Sequence, residues 1–155
     1  METLRETGLG EALTSAFERG VPIFGICLGA QIILDHSEEG DRTCLGLIPG
    51  ACQRFRYEDP LLKVPHIGWN QVGLTQTHPL LEDFPEGAEF YFVNSYYPVP
   101  NDAAHVYGVT KYGHPFCSML GRDNLFATQF HLEKSGKFGL DLLERFIRWD
   151  GKVYS

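Results

Sequence analysis

Apolar residues near the N-terminus recur with the spacing of a helix. They fall at i, i+3, i+4, i+7 and i+8 and so line one face of a helical segment: Leu9, Ala12, Leu13, Ala16 and Phe17. Gly20 follows, and glycine is common where a helix ends. The pattern predicts an N-terminal helix that ends near Gly20.

A continuous apolar run occupies residues 21–26, directly after this helix. Short runs without polar alternation are typical of strands that are covered on both faces, as in parallel sheets. Residues 28–34 return to helical spacing. The order helix, strand, tight turn, helix predicts an α/β fold with Cys27 at the turn.

Beyond Cys44 the chain breaks into short β-favouring segments separated by turn residues. They predict strands at residues 45–48, 52–56, 67–74, 89–97, 105–112, 116–120 and 125–130. Near the C-terminus, four apolar side chains share one face of a helix predicted over residues 139–149: Leu142, Leu143, Phe146 and Ile147. The pattern therefore predicts an α/β sheet with a β-rich middle.

Length and charge narrow the class of protein. The 155 residues suit one domain, residues 1–155, and a hydrophobic content of 43% suffices for a core. A net charge of −7 without a basic cluster argues against nucleic-acid binding. No apolar run reaches the roughly 20 residues of a membrane helix, and the N-terminal residues lack a signal-peptide pattern. We therefore expect a cytoplasmic protein without a membrane partner.

The four cysteines form no CxxC pair: Cys27, Cys44, Cys52 and Cys117. Neither a structural zinc site nor a redox dithiol is indicated, so we expect free thiols and no metal.

The segment Gly25-Ile26-Cys27-Leu28-Gly29 places a cysteine between two glycines at the predicted turn from strand to helix. A nucleophile on such a strained turn needs small residues two positions before and after it, because the backbone folds back on itself. The N-terminus of the following helix is expected to lower the thiol pKa and to offer N–H groups to an oxyanion. Cys27 is therefore a candidate nucleophile, and a buried structural cysteine is the alternative.

A cysteine nucleophile requires a base and a group that orients the base. His131 follows the last predicted strand, at the edge where open α/β sheets place their sites. On an extended chain Glu133 points to the same side and can hold the imidazole in the tautomer that accepts the thiol proton. His131 and Glu133 are the candidate base and orienter. The alternative is a surface histidine beside a solvated carboxylate.

These motifs resemble a known family. Residues 25–31 (GICLGAQ) are similar to the nucleophile elbow of class I, triad-type glutamine amidotransferases, and residues 129–135 (QFHLEKS) to their histidine–glutamate segment. Within that class, residues 45–50 (LGLIPG), 64–70 (VPHIGWN) and 90–97 (FYFVNSYY) resemble the glutaminase subunits of imidazole glycerol phosphate synthases. Five motifs in the same order over nearly the whole chain are more specific than either catalytic motif alone.

The resemblance implies a three-layer, flavodoxin-like α/β fold with a mixed, mostly parallel sheet. It also implies hydrolysis of L-glutamine to glutamate and ammonia, without a metal or organic cofactor. Cys27 would attack the carboxamide, His131 would shuttle protons and Glu133 would orient the imidazole. The ammonia would pass to a cyclase subunit, a (β/α)₈ barrel that forms a heterodimer with the glutaminase in histidine biosynthesis.

Further roles follow from the resemblance at matching positions. The backbone N–H of Leu28 would donate to the oxyanion. Gln31, with the Ser95-Tyr96 backbone, would hold the amino-acid end of the substrate. Three residues match the family segment that lies near the partner interface, where ammonia passes to the cyclase: His66, Trp69 and Asn70. For Trp69, packing in the core is an equal alternative.

Three departures from the family pattern bear on function. Leu132 replaces the usual proline between His131 and Glu133, which leaves the turn less rigid but still possible. Asn94 stands where synthase subunits usually have a histidine; it can form hydrogen bonds but cannot titrate. Family members also begin with a further βαβ portion that supplies central strands and a second oxyanion donor, so we expect an N-terminally truncated domain.

Three other functions stay open as alternatives. Asn94 favours a paralogous glutaminase that feeds ammonia to a sugar-modifying amidotransferase. The expected truncation favours a non-catalytic, partner-binding remnant. A different cysteine hydrolase on the same fold is the third alternative.

Overall fold

The computed structural model describes residues 1–154. Its α-helices are α1 (Glu2–Glu6), α2 (Leu9–Glu18), α3 (Leu28–Ile32) and α4 (Gly136–Arg148). The strands are β1 (Ile23–Ile26), β2 (His36–Ser37), β3 (Arg42–Thr43), β4 (Gly50–Arg54), β5 (His66–Gln71), β6 (Gly73–Leu74), β7 (Glu89–Asn94), β8 (Tyr96–Pro100), β9 (Val106–Tyr112), β10 (His114–Arg122) and β11 (Leu125–Thr128). Short 3₁₀ helices span Pro79–Leu81, Ala103–His105 and Leu132–Lys134.

A five-stranded sheet in the order β1-β11-β10-β9-β6 lies at the centre of the fold. Because side chains alternate along a strand, β11 buries Phe126 on one face and Leu125 and Ala127 on the other. The first face packs with Leu142 of α4, and the second packs with Ala30 of α3. Helices therefore cover both faces of this sheet, which gives the predicted three layers.

Two smaller sheets flank the central one. One has the order β3-β2-β4-β8, and the other is the two-stranded ribbon β5–β7. In the ribbon, His66 lies opposite Asn94 and Trp69 lies opposite Tyr91. The inward face of the ribbon adds Phe90 and Phe92 to the core that α4 covers, whereas Trp69 faces outward.

The terminal helices and the α/β character are confirmed, and α2 gives way to a left-handed turn at Gly20 (φ 74°). The mixed sheet is confirmed too, but the expectation of mostly parallel strands is wrong for the described residues. Only β1–β11 and β2–β4 pair in parallel there. The physical reason is that β9, β10 and β11 follow one another through tight turns, and such turns allow only antiparallel pairing.

The strand predicted at residues 45–48 is wrong. The backbone N–H groups of this segment donate instead to carbonyls at the end of α3, from Leu45 to Ile32 (2.9 Å) and from Leu47 to Ile33 (2.8 Å). They satisfy acceptors that a helix C-terminus leaves free, so the segment caps α3 and does not enter a sheet. The prediction that β1 is covered on both faces is also not met. Ile23 and Phe24 are only half-buried, and β1 is an edge strand of the described sheet.

Two of the predicted strands each correspond to two separate strands in the structure. Residues 67–74 divide into β5 and β6 around buried Val72. Residues 89–97 divide into β7 and β8 at Ser95, whose carbonyl accepts a hydrogen bond from the Phe55 N–H (3.0 Å). The chain leaves the ribbon at this residue and joins the sheet of β4. No helix in residues 1–154 has the length and apolar character that crossing a bilayer requires.

Candidate functional site

Cys27 occupies the turn between β1 and α3, as the sequence predicts. Its backbone is in an unusual conformation for a residue with a side chain (φ 50°, ψ −97°), a state that costs about 1–3 kcal/mol and persists where the surrounding structure enforces it. One such constraint is visible, because the Cys27 N–H donates to the Thr128 carbonyl of β11 (2.8 Å). The strained turn thus presents the thiol at the carboxyl end of β1.

The two glycines of the motif are not equivalent. A Cβ at Gly25 would lie 2.9 Å from the Gly29 carbonyl carbon and 3.0 Å from the Cβ of Ala127. A Cβ at Gly29 would meet nothing within 4 Å. The close approach of backbone that the motif predicts is therefore confirmed at Gly25, whereas Gly29 has free space beside it.

The pKa of the Cys27 thiol is raised, contrary to the expectation from the helix terminus. Burial is the largest cause, and the negative charge of Glu133 adds to it. The backbone N–H of Leu28, the side chain of Gln129 and the charge of Lys134 act in the opposite direction. The N-terminus of α3 does favour the thiolate, but α3 has five residues and desolvation outweighs its effect.

His131 and Glu133 form the predicted pair. The Nδ1 of His131 lies 2.6 Å from Oε1 of Glu133, and the imidazole side chain is 19% exposed against 52% for the carboxylate. Burial opposes ionisation of Glu133, but its own backbone N–H and the His131 hydrogen bond outweigh burial and lower the carboxyl pKa. The carboxylate is therefore ionised near neutral pH and fixes one ring nitrogen of His131.

The route to this pairing differs from the prediction of an extended chain. His131 itself is extended, but Leu132–Lys134 forms a 3₁₀ helix. Leu132, which stands in the proline position, is fully buried in the core. A Cβ at Gly139 of α4 would lie 2.0 Å from the Leu132 carbonyl oxygen, so the turn carrying the pair is pressed directly against α4.

The central sheet brings Cys27 and His131 to the same edge. Ile26 pairs with Thr128 in the parallel β1–β11 ladder, and the two candidate residues lie just beyond these strand ends. The His131 N–H donates to the Tyr91 carbonyl of the ribbon (3.0 Å). Within residues 1–154 the thiol and the imidazole form no hydrogen bond with each other, an arrangement common in enzymes without substrate.

A network of side-chain amides surrounds the nucleophile position. Gln31 Nε2 donates to the Tyr96 carbonyl (3.2 Å) and to Gln129 Oε1 (3.0 Å). Gln129 Nε2 in turn donates to Cys27 Sγ (3.6 Å), and Asn94 Nδ2 donates to the Tyr96 carbonyl (2.9 Å). Gln31 and Tyr96 are thus brought together as predicted, and the carbonyl of neighbouring Ser95 accepts the N–H of Phe55, the residue directly after β4.

Gln129 is a site residue that the sequence analysis did not assign. It is fully buried although its side chain is polar. The signal that points to it is a glutamine within the β-favouring segment 125–130, two residues before His131.

The three residues of the predicted interface segment do not share one surface. Trp69 is 53% exposed on the outer face of the ribbon, which excludes core packing as its environment. His66 is buried on the inner face, where its Nε2 lies 3.4 Å from Asn70 Nδ2. Asn70 Nδ2 also donates to the Lys111 carbonyl (3.0 Å). In the described chain, His66 Nδ1 and Asn94 Oδ1 are both buried without a hydrogen-bond partner. The two residues lie directly opposite each other in the ribbon.

A cavity of about 200 Å³ adjoins the elbow on the side of α3. It is lined by Met1, Leu28, Gln31, Ile32, Ser37, Glu39, Arg42 and Cys44. Glu39 and Arg42 give this cavity one charge of each sign, whereas Leu28 and Ile32 are apolar. Among the described residues, His, Cys, Asp and Glu side chains form no group of three that could hold a metal ion.

Comparisons with known proteins identify the family of the chain. A family model described as glutamine amidotransferase class-I matches residues 5–149. The chain is 47% identical over 154 residues to the imidazole glycerol phosphate synthase subunit HisH of Neisseria meningitidis serogroup B, covering 96% of this chain and 72% of that protein. It is 46% identical over 157 residues to the protein of the same name from Chromobacterium violaceum, covering 99% and 74%.

A solved structure described as glutamine amidotransferase superposes with a TM-score of 0.66 at 16% identity, covering 97% of this chain and 72% of that one. At that identity the likeness concerns the fold alone, and it confirms the predicted α/β fold class. The family match and the two relatives cover almost all of the present chain, including the elbow at Cys27 and the turn at His131. The chain therefore belongs to the class-I glutamine amidotransferase family.

Proposed function

We propose that this protein is the glutaminase subunit of an imidazole glycerol phosphate synthase in histidine biosynthesis. It hydrolyses L-glutamine to glutamate and ammonia in the cytoplasm and delivers the ammonia to a (β/α)₈-barrel cyclase subunit within a heterodimer. The observation that carries the proposal is the 46–47% identity to two proteins described as imidazole glycerol phosphate synthase subunit HisH, over 96–99% of the chain.

In the proposed reaction, the Cys27 sulfur attacks the carboxamide carbon of glutamine while His131 accepts the thiol proton. The C–N bond breaks, His131 returns the proton to the leaving nitrogen, and ammonia departs from a glutamyl thioester. Water then attacks the thioester, with His131 as base, and releases glutamate and the thiol. The 2.6 Å contact between His131 and Glu133 supports this assignment, because an ionised Glu133 stabilises the imidazolium that forms twice per cycle.

Burial of the thiol fits a nucleophile that is activated during the reaction. Since its pKa is raised, Cys27 rests as a thiol, and the base has a proton to remove. The backbone N–H of Leu28, which favours negative charge on the sulfur, would donate to the oxyanion that develops beside it.

The cavity beside α3 is proposed to bind the amino-acid end of L-glutamine. A free amino acid carries one positive and one negative group, and Glu39 and Arg42 line the cavity with the opposite pair of charges. Gln31 belongs to the same lining and also joins the amide network at Cys27, so a substrate held there would lie beside the thiol.

The outer face of the ribbon is proposed as the docking surface for the cyclase. Trp69 is 53% exposed and Ile67 is 60% exposed on this face, and large apolar side chains are enriched at protein interfaces. The Trp69 ring lies 5.8 Å from the Tyr91 ring, and the Tyr91 carbonyl holds the His131 backbone. His66 and Asn70, on the inner face, would line the ammonia route.

Release of glutamate from L-glutamine tests the proposal. The full chain is assayed alone and with a cyclase subunit from one of the relatives, and Cys27→Ser is compared with Cys117→Ala. Cys117 is a buried thiol of β10, so its variant controls for loss of a cysteine elsewhere. We expect glutamate release that depends on Cys27, survives Cys117→Ala and increases with the cyclase.

Absence of Cys27-dependent glutamate release in the complex would refute the proposed function. Release without ammonia-dependent cyclase product would favour a glutaminase that serves another acceptor. Binding of the cyclase without any glutamate release would favour the partner-binding remnant.

A further inference from the structure

Gln129 is held rigidly at the junction of three strands. The Gln129 N–H donates to the Ser118 carbonyl of β10 (2.9 Å), and the adjacent Thr128 carbonyl accepts the Cys27 N–H (2.8 Å). Its side chain is fully buried and makes hydrogen bonds at both ends of the amide. Both the backbone and the amide of Gln129 are therefore fixed relative to Cys27.

The orientation of the Gln129 amide, with its oxygen toward Gln31 and its NH₂ group toward Cys27, follows from a contact with a backbone carbonyl. The Tyr96 carbonyl oxygen can only accept, so the group of Gln31 that faces it must be the NH₂ group. The same Nε2 faces Gln129, which must therefore present its oxygen to Gln31. Its NH₂ group is left to face Cys27 Sγ. A rotated Gln129 amide would set two donors against each other and an oxygen against the sulfur.

We infer that Gln129 is a positioning residue: its amide holds the Cys27 sulfur and the Gln31 side chain in one fixed arrangement and donates a hydrogen bond to the thiolate. The inference rests on the proposed role of Cys27 as nucleophile. An amide does not ionise near neutral pH and cannot act as an acid or a base, so Gln129 acts through its neighbours.

The charges around the sulfur make such a donor useful. Burial and the negative charge of Glu133 both disfavour the thiolate, whereas Lys134 and the Leu28 N–H favour it. Gln129 supplies a further favourable contact from the buried side, where water does not replace it. The fixed direction of its amide ensures that a donor faces the sulfur.

The pH dependence of Cys27 alkylation tests this role without requiring turnover. The full chain and its variants react with iodoacetamide from pH 6 to 11, and the modified Cys27 peptide is quantified by mass spectrometry. Cys52 and Cys117 should stay largely unmodified over most of this range, since burial raises the pKa of each to about 12, and they therefore serve as unreactive controls.

Gln129→Met removes the donor at similar volume, and we expect the alkylation midpoint to rise by about one pH unit, or about tenfold slower reaction below the midpoint. Gln129→Glu keeps an acceptor for Gln31 but places a carboxylate against the sulfur, so its shift should be larger. Thr110→Val is the matched control. It removes another buried hydrogen bond, from Thr110 Oγ1 to Ser118 Oγ (2.8 Å), and should leave the profile unchanged.

Circular dichroism and thermal melting establish that each variant is folded, and either folded Gln129 variant decides the question. Alkylation profiles that coincide with the wild type would overturn the role of Gln129. If the wild-type complex releases no glutamate in a Cys27-dependent way, the proposed function is overturned, regardless of the alkylation profiles.

Discussion

Replacing Gly25 by alanine tests whether the elbow depends on close backbone contact. The new Cβ would lie 2.9 Å from the Gly29 carbonyl carbon and 3.0 Å from Ala127 Cβ, both shorter than van der Waals contact. The neighbours are the backbone of α3 and a packed residue of β11, so neither can rotate away. Such overpacking typically costs about 1–3 kcal/mol.

Gly29→Ala is the matched control because it adds the same methyl group to the same motif. Its Cβ would meet nothing within 4 Å, and alanine in α3 should stabilise the protein by up to about 1 kcal/mol. For a domain of this size each kcal/mol changes the melting temperature by roughly 2–4 °C. The two variants should therefore move it in opposite directions.

Urea denaturation gives the free energy of unfolding of both variants, and the rate of Cys27 alkylation at fixed pH reports the position of the thiol. We expect Gly25→Ala to lose stability and to alter the alkylation rate, because α3 must move away from β1. Equal unfolding free energies for the two variants would refute the steric reasoning.

Three further predictions concern the turn and buried histidine. Gly139→Ala should destabilise the chain by about 1–3 kcal/mol in urea, because its Cβ would lie 2.0 Å from the Leu132 oxygen. Burial lowers the pKa of His78 from 6.5 to about 4. The free energy of unfolding should therefore decrease as the pH falls from 6.5 to 4, because the unfolded chain takes up a proton that the folded chain does not. Denaturation curves of His78→Phe should show a weaker dependence on pH over this range. Glu133→Gln should lower glutamate release by about 10²–10⁴, because an uncharged amide no longer stabilises the His131 imidazolium; undiminished release would contradict the proposed role.

Local sequence patterns predict several of the elements. The apolar stripes of α2 and α4 follow from helical periodicity, and β1 follows from a continuous apolar run. Residues 45–48 are equally apolar, yet their backbone groups bond to the end of α3. Whether such a segment forms a strand or caps a helix depends on which carbonyl groups lie near it in the fold, and the periodicity of the sequence does not give this information.

The same distinction applies to the candidate site. Cys27, His131 and Glu133 stand in recognisable spacings, whereas Gln129 acquires its role from partners 98 and 102 residues away in the chain. The raised pKa of Cys27 differs from the prediction because the sequence indicates the helix terminus but not the depth of burial of the thiol. The exposure of Trp69 likewise followed only from the register of the ribbon.

The parallel ladder that joins β1 to β11 has a consequence for changes in chain length. Cys27 and His131 are aligned because Ile26 pairs with Thr128 in the hydrogen-bonded ladder between the two strands. One residue inserted within β11 would advance His131 by about 3.3 Å and exchange the two faces of the strand beyond it. The length of β11 is therefore constrained by the alignment of Cys27 with His131, in addition to the packing that constrains its four buried side chains.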